Sequence, residues 1–417
     1  MSAPLHGAAL SRRGMIGIGL AAMAGRALAA ASSPADRERA LAAIPQRLQA
    51  FVDAGTIPGA VSLVQQHGRL LRLDAVGWRD VASRAPMHGD TVFQIMSQSK
   101  PYIATSVMLL HEQGLLDVDA PVERYLPEFG DMWLVEQGDG ARRVLRRPAQ
   151  KITLAHLLSH SSGLPDAAPV TAPFAEKMRH SLAEVTAVLS QQPLEAEPGS
   201  RWRYSNQGIA AAARAVEVVS GLDYRDFVHR RIFAALGLRE ATFTPPPALW
   251  PRLASVYDLK DGRLVEMGPG TPGYGDLKLR RGVRYAMPEA GIFATAQETA
   301  RIHQLFLDGG QWRGQRLLAR ETVARMLTPR IAMGRFGGGQ SWQGLGWRLE
   351  PAPPKGPGGL PAGSFHHSGA LGSFGWADPA SGIVGVMLLQ RPNASAERDA
   401  LIEIVHPTAH SSTENAG

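Results

Sequence analysis

The 417-residue chain contains no cysteine, which excludes disulfide bridges, cysteine-ligated zinc and a thiol nucleophile. Lysine is nearly as scarce, with six residues against 38 arginines. An arginine guanidinium stays protonated in any protein, whereas a desolvated lysine can release its proton and serve as a base. Aromatic residues make up only 6% of the chain, and none interleaves with a Lys/Arg-rich helix, so no nucleic-acid surface is expected. His366 and His367 are adjacent, which on a strand points them to opposite faces. No metal and no cofactor are expected. No repeat of solenoid or propeller period is visible.

Long apolar runs are also missing. The stretch from Gly14 to Gly25 carries four glycines and is too short to span ~30 Å of hydrocarbon. It follows Arg12-Arg13 and precedes Ala27-Leu28-Ala29, so residues 1–30 read as an export signal of the twin-arginine type, with Met15 where phenylalanine is usual. The expectation is a periplasmic or extracellular protein with no stable membrane anchor once the signal is removed. Loss of Arg12, Arg13 and Arg26 takes the formal charge from +7 to +4. The remaining basic clusters, Arg142–Arg147 and Lys278–Arg284, read as solvated loops.

What is present is sparse but ordered. One of the six lysines closes Ser97-Gln98-Ser99-Lys100, an S-x-x-K box that chance supplies about 0.4 times in such a chain. Tyr204-Ser205-Asn206 is a Y-x-N triplet expected about 0.05 times, and His367-Ser368-Gly369 an H-[ST]-G triplet expected about 0.14 times. S-x-x-K, S-D-N and K-T-G boxes mark penicillin-binding proteins and class A β-lactamases. Here tyrosine replaces the first serine of the second box and histidine the lysine of the third.

That combination resembles the superfamily of class C β-lactamases, D,D-peptidases, D-amino-acid amidases and peptidases, and family VIII carboxylesterases. The likeness extends to Ile152–Pro165, Arg201–Asn206 and Ala290–Gly310 and covers about residues 40 to 390. It implies an α/β fold of the β-lactamase/transpeptidase type: an antiparallel sheet built from both termini, flanked by helices, with an inserted mainly helical subdomain and the active site between the two. The periodicities agree. A helix is expected over Leu41–Ala54, a hairpin over Gly59–Gln65 and Leu70–Gly77, and strands at Ser373–Trp376 and Ile383–Leu389. Helices are expected at Pro101–Gln113, Leu154–Ser159, Leu182–Gln191, Gly208–Ser220 and Tyr224–Leu236. The hydrolase domain is placed at 31–405, with sheet residues at about 40–95 and 290–405, helical residues at about 96–289, and a frayed tail at 406–417. His160-Ser161-Ser162-Gly163 is read as the end of the Leu154 helix and a shaping loop. No G-x-S-x-G elbow occurs.

Ser97 and Lys100 share a helix face, and Pro101 is tolerated only within about the first turn, so the helix starts at or beside Ser97. Helix N-terminal N–H groups favour an oxyanion. Serine needs a base within hydrogen-bond reach to become a nucleophile. Lys100 is the first candidate and Tyr204 the second, and a coupled pair shares its protons. Asn206, two residues on in an extended segment, would share the Tyr204 face, donate to a substrate carbonyl and accept from Lys100. His367 would stand on the edge strand, mostly neutral near pH 7, with Ser368 beside it among the substrate-binding residues. Gly369 would admit the substrate to the backbone. The resemblance places the second oxyanion donor at the N–H of Ala370, partnering that of Ser97. The expected activity is a serine hydrolase forming an acyl-enzyme on Ser97 and cleaving small carboxylic esters. The alternatives are a D-Ala-D-Ala carboxypeptidase or D-aminopeptidase, a weak β-lactamase, and a penicillin-binding receptor that does not turn over.

Overall fold

The structure, a computed structural model, describes residues 34–139, 142–166, 178–268, 283–336, 338–356 and 358–407. The expected export signal and Lys278–Gly282 of the second basic cluster lie outside the described residues.

Nine strands form one antiparallel sheet: β1 Gly59–Gln66, β2 Arg69–Asp80, β3 Ala85–Pro86, β4 Ile331–Phe336, β5 Gly339–Gln343, β6 Arg348–Glu350, β7 Ser364–Ser368, β8 Phe374–Asp378 and β9 Ile383–Leu388. Their spatial order is β4-β5-β6-β7-β8-β9-β1-β2-β3. The late strands therefore join the early ones where β9 pairs with β1, from Val61↔Leu388 to Gln66↔Ile383. The β1–β2 hairpin turns on His67 and Gly68, both at positive φ (48° and 75°), as a two-residue turn of primed type requires.

Both faces of the sheet are covered, which is why β9 is buried at every position. Val384, Val386 and Leu388 join the larger core, while Ile383 and Met387 join the smaller one on the opposite face, following the two-residue period of a strand. The smaller core is closed by α1 (Ile44–Asp53) through Ile44 and Leu48, and by the C-terminal helix Ser395–Val405 through Leu401 and Ile402. The helix expected over Leu41–Ala54 is two pieces, Pro34–Leu41 and α1, because Pro45 has no N–H to continue the ladder. His406, assigned to the tail by sequence, is tied down: Trp376 Nε1–H donates to its Nε2 at 3.0 Å.

The inserted part is mostly helical. Its centre is α2 (Lys100–Glu112), followed by α3 (Leu154–Leu158) and α4 (Asn206–Ser220). α2 is buried on every side from Lys100 to Leu110. The expected helix Tyr224–Leu236 runs through a π-helical stretch, His229–Phe233. A further helix, α5 (Ala296–Leu307), packs on the larger-core face of the sheet through Ile302, Leu305 and Phe306.

Candidate active site

The three boxes converge. The strand pair Phe93↔Ala294 and Gln94↔Phe293, extended by Ile95 N–H to Ile292 O at 3.0 Å, delivers the chain to Met96. Met96 takes φ +51°, a left-handed conformation that strains a side chain of its size. Ser97 then sits in a 3-10 turn, Met96–Ser99, and α2 begins only at Lys100. Pro101 is thus the second residue of α2, where its missing N–H leaves no bond unmade.

Lys100 is fully buried. Its Nζ donates to Ser97 Oγ at 2.9 Å and to the carbonyl of Glu289 at 3.0 Å. Ser97 Oγ also shares a hydrogen bond of 2.8 Å with the Tyr204 hydroxyl, and Lys100 Nζ lies 4.8 Å from the Tyr204 ring centroid. An amine and a phenol therefore meet on one serine hydroxyl, although the tyrosine is 107 residues away in sequence.

The remaining expected residues divide. Asn206 is not in an extended segment: it opens α4, its N–H donating to Asp166 Oδ1 at 2.7 Å. Among the described residues Lys100 takes the Glu289 carbonyl as its second acceptor, not the Asn206 amide. The reason is the capping at Ser205, whose Oγ accepts from Gly208 N–H at 3.0 Å and starts the helix two residues after Tyr204. His367 and Ser368 lie on β7, which is interior to the sheet and not its edge. Pairing with β6 nevertheless ends at Arg348↔His366, so both residues overhang the end of β6. His367 is buried; burial, with Arg348 and Lys100 nearby, pushes its pKa well below the usual histidine value. Its Nδ1 meets the Ser368 carbonyl at 2.9 Å, which makes Nδ1 the protonated nitrogen.

Gly369 is required by the protein's own packing. A Cβ there would collide with Ser373 Oγ, Ile95 O and Met96 Cβ, so the turn after β7 presses on the strand leading to Ser97. Gly369 N–H is spent on Ser373 O at 2.7 Å. Among the described residues neither Ser97 nor Ala370 N–H has an intramolecular acceptor, which leaves two donors for an oxyanion.

Three residues escaped the sequence reading as parts of this site. Glu289 contributes its carbonyl, which any residue carries. His160, assigned to a loop, stacks on Tyr204 with ring centroids 4.5 Å apart. Arg348 Nη1 donates to Ser368 Oγ at 3.3 Å, and no carboxylate pairs with it among the described residues. Glu350, two residues on, is engaged by His366 at 2.9 Å and Ser341 at 2.7 Å. Burial lowers the Arg348 pKa from its usual value, opposed by Tyr204. One arginine among 38 gave no signal in sequence.

The family model described as Beta-lactamase matches residues 44–408. The chain belongs to the β-lactamase family. An uncharacterised protein of Mycobacterium tuberculosis is 28% identical over 374 residues, covering 84% of this chain and 90% of its own. Esterase EstB of Burkholderia gladioli is 32% identical over 216 residues, 48% of this chain and 52% of the esterase. Among solved structures, EstCE1, described as a hydrolase with promiscuous acyltransferase activity, superposes with a TM-score of 0.73 at 26% identity, covering 88% of this chain and 99% of that one. The fold is β-lactamase/transpeptidase-like, and this β-lactamase-family member is an enzyme of the serine hydrolase class.

Proposed function

We propose that the chain hydrolyses carboxylic esters through an acyl-enzyme on Ser97. One observation carries the reading: Ser97 Oγ stands 2.9 Å from the Lys100 amine and 2.8 Å from the Tyr204 hydroxyl. In acylation Oγ attacks the ester carbonyl and an Oγ–C bond forms. The hydroxyl proton passes to the Lys100–Tyr204 pair, and the carbonyl oxygen becomes an oxyanion facing the N–H groups of Ser97 and Ala370. A preorganised donor of this kind is worth about 3 kcal/mol in the transition state. Collapse breaks the C–O bond to the alcohol, which leaves with a proton from the pair. Water then repeats the sequence: it gives a proton to the pair, attacks the acyl carbon, and Ser97 departs with that proton. His367, kept neutral by burial, brings no fixed charge to the third box, which favours neutral esters. The esterase and acyltransferase relatives support the same reaction class.

A second reading rests on Arg348. A half-buried guanidinium with no carboxylate partner among the described residues is costly to hold there, and this one bonds Ser368 beside the serine. It offers the positive charge that His367 lacks, and so favours substrates ending in a carboxylate, such as D-peptides. The test is a panel of p-nitrophenyl butyrate, nitrocefin and a D-Ala-D-Ala peptide with Ser97→Ala as control. Ester turnover abolished by Ser97→Ala supports the first reading. Release of D-alanine beside an untouched ester supports the second, and a persistent mass adduct on Ser97 without turnover refutes both.

A further inference from the structure

The proposed proton carrier, Tyr204, lies in irregular chain between Ser200 and the start of α4. Within its own segment the Trp202 ring lies beside the phenol, with centroids 6.2 Å apart, but makes no hydrogen bond to its hydroxyl among the described residues. A phenol that shifts by about 1 Å from a reacting hydroxyl can lose about 10²-fold in rate, so something outside the segment must hold it.

One residue does so at three points. His160 follows α3 and takes φ +55°, uncommon for a residue with a side chain. Its carbonyl accepts from the N–H of Arg203 at 2.7 Å. Its Nδ1 accepts from the N–H of Ser205 at 3.2 Å. These are the residues immediately before and after Tyr204, so backbone and side chain of His160 grip the tyrosine from both flanks. The ring then lies along the phenol, with centroids 4.5 Å apart and planes 31° apart, and Trp202 meets it edge-on with centroids 6.4 Å apart. At this positive φ the carbonyl and the ring face the same segment. Burial, with the cations of Lys100 and Arg348 nearby, keeps the imidazole neutral, as accepting at Nδ1 requires.

We infer that His160 is the positioning residue for Tyr204, clamping the phenol onto Ser97 through both neighbouring peptides and a stacked ring. This rests on the reading of Tyr204 as a proton carrier, so the experiment separates the two. Hydrolysis of p-nitrophenyl butyrate is measured first for the wild type and Tyr204→Phe; a variant that keeps its rate refutes the carrier role itself. His160→Asn retains an acceptor oxygen and tolerance of positive φ but loses the ring. His160→Phe retains the ring but loses the acceptor. Each is made in the wild-type and Tyr204→Phe backgrounds, with melting temperature recorded; His160→Gln replaces any variant that does not fold.

With the carrier role intact, each variant should lower kcat by roughly 10- to 100-fold with little change in KM. In the Tyr204→Phe background the same substitutions should change kcat by less than about threefold, because the group they position is gone. Equal losses in both backgrounds would make His160 a structural residue and overturn the inference. Unchanged kcat in the wild-type background would overturn it too.

Discussion

Replacing Lys100 by methionine should separate activity from stability. The side chain is fully buried and has no carboxylate partner among the described residues. Its amine makes two hydrogen bonds, to Ser97 Oγ and Glu289 O, each worth about 1.5–3 kcal/mol if the amine is charged. Against these stands the cost of holding a charge out of water, several kcal/mol per ion even after relaxation. Methionine fills nearly the same volume, a change that usually costs less than about 1.5 kcal/mol, and Ser97 keeps its bond to Tyr204. The terms nearly cancel, so Lys100→Met should move unfolding stability by no more than about 2 kcal/mol. The rate should behave otherwise. A positioned base contributes about 10²–10⁴-fold, and kcat/KM for a p-nitrophenyl ester should fall by about 10³-fold. Urea unfolding and ester hydrolysis on one preparation test both numbers. A loss of 4 kcal/mol or more with the rate lost in proportion would make Lys100 a structural tie, and a rate within threefold of wild type would remove it from the chemistry.

Three further outcomes follow from particular contacts. Gly369→Ala should destabilise the protein by about 1–3 kcal/mol by thermal or urea unfolding, because the new Cβ meets the Ile95 carbonyl and Ser373; a neutral result would mean the turn is free to move. Arg348→Gln should raise KM about tenfold for an ester bearing a free carboxylate and leave a neutral ester unchanged; equal effects on both would deny it a role in substrate charge. His303 is buried on α5 with its pKa pushed down to about 4, so the unfolded chain binds its proton at higher pH than the folded one. Its share of stability is complete above about pH 6.5 and is lost as pH falls towards 4, at up to about 1.4 kcal/mol per pH unit. Urea unfolding at pH 7 and pH 5 should show a shallower dependence for His303→Leu; an identical slope would contradict the depressed value.

Much of the molecule was legible from local pattern. Short apolar runs marked β8 and β9, and Pro101, tolerated only within about the first turn, put the helix start beside Ser97. The S-x-x-K spacing alone placed an amine one turn past a hydroxyl. Misreadings came where a local rule met a competing one. Asn206 was placed in an extended segment because two-residue spacing fits a strand, but the Ser205 cap turns the chain into α4 there. Gly369 was read as room for substrate, and only the fold showed that Ser373 Oγ, the Ile95 carbonyl and Met96 Cβ also exclude a side chain there.

The linear order of residues determined which chemistry was available: a hydroxyl, an amine and a phenol, the first two joined by helical spacing and the third merely somewhere downstream. Only the folded chain decided that the phenol meets the hydroxyl at 2.8 Å, that Glu289, 189 residues on, supplies the second acceptor for the amine, and that His160 holds Tyr204 from both sides. Periodicity reports on neighbours within a turn or a strand. Contacts across a hundred residues arise from which surfaces pack, and a backbone carbonyl or one arginine among many leaves no mark in sequence that sets it apart.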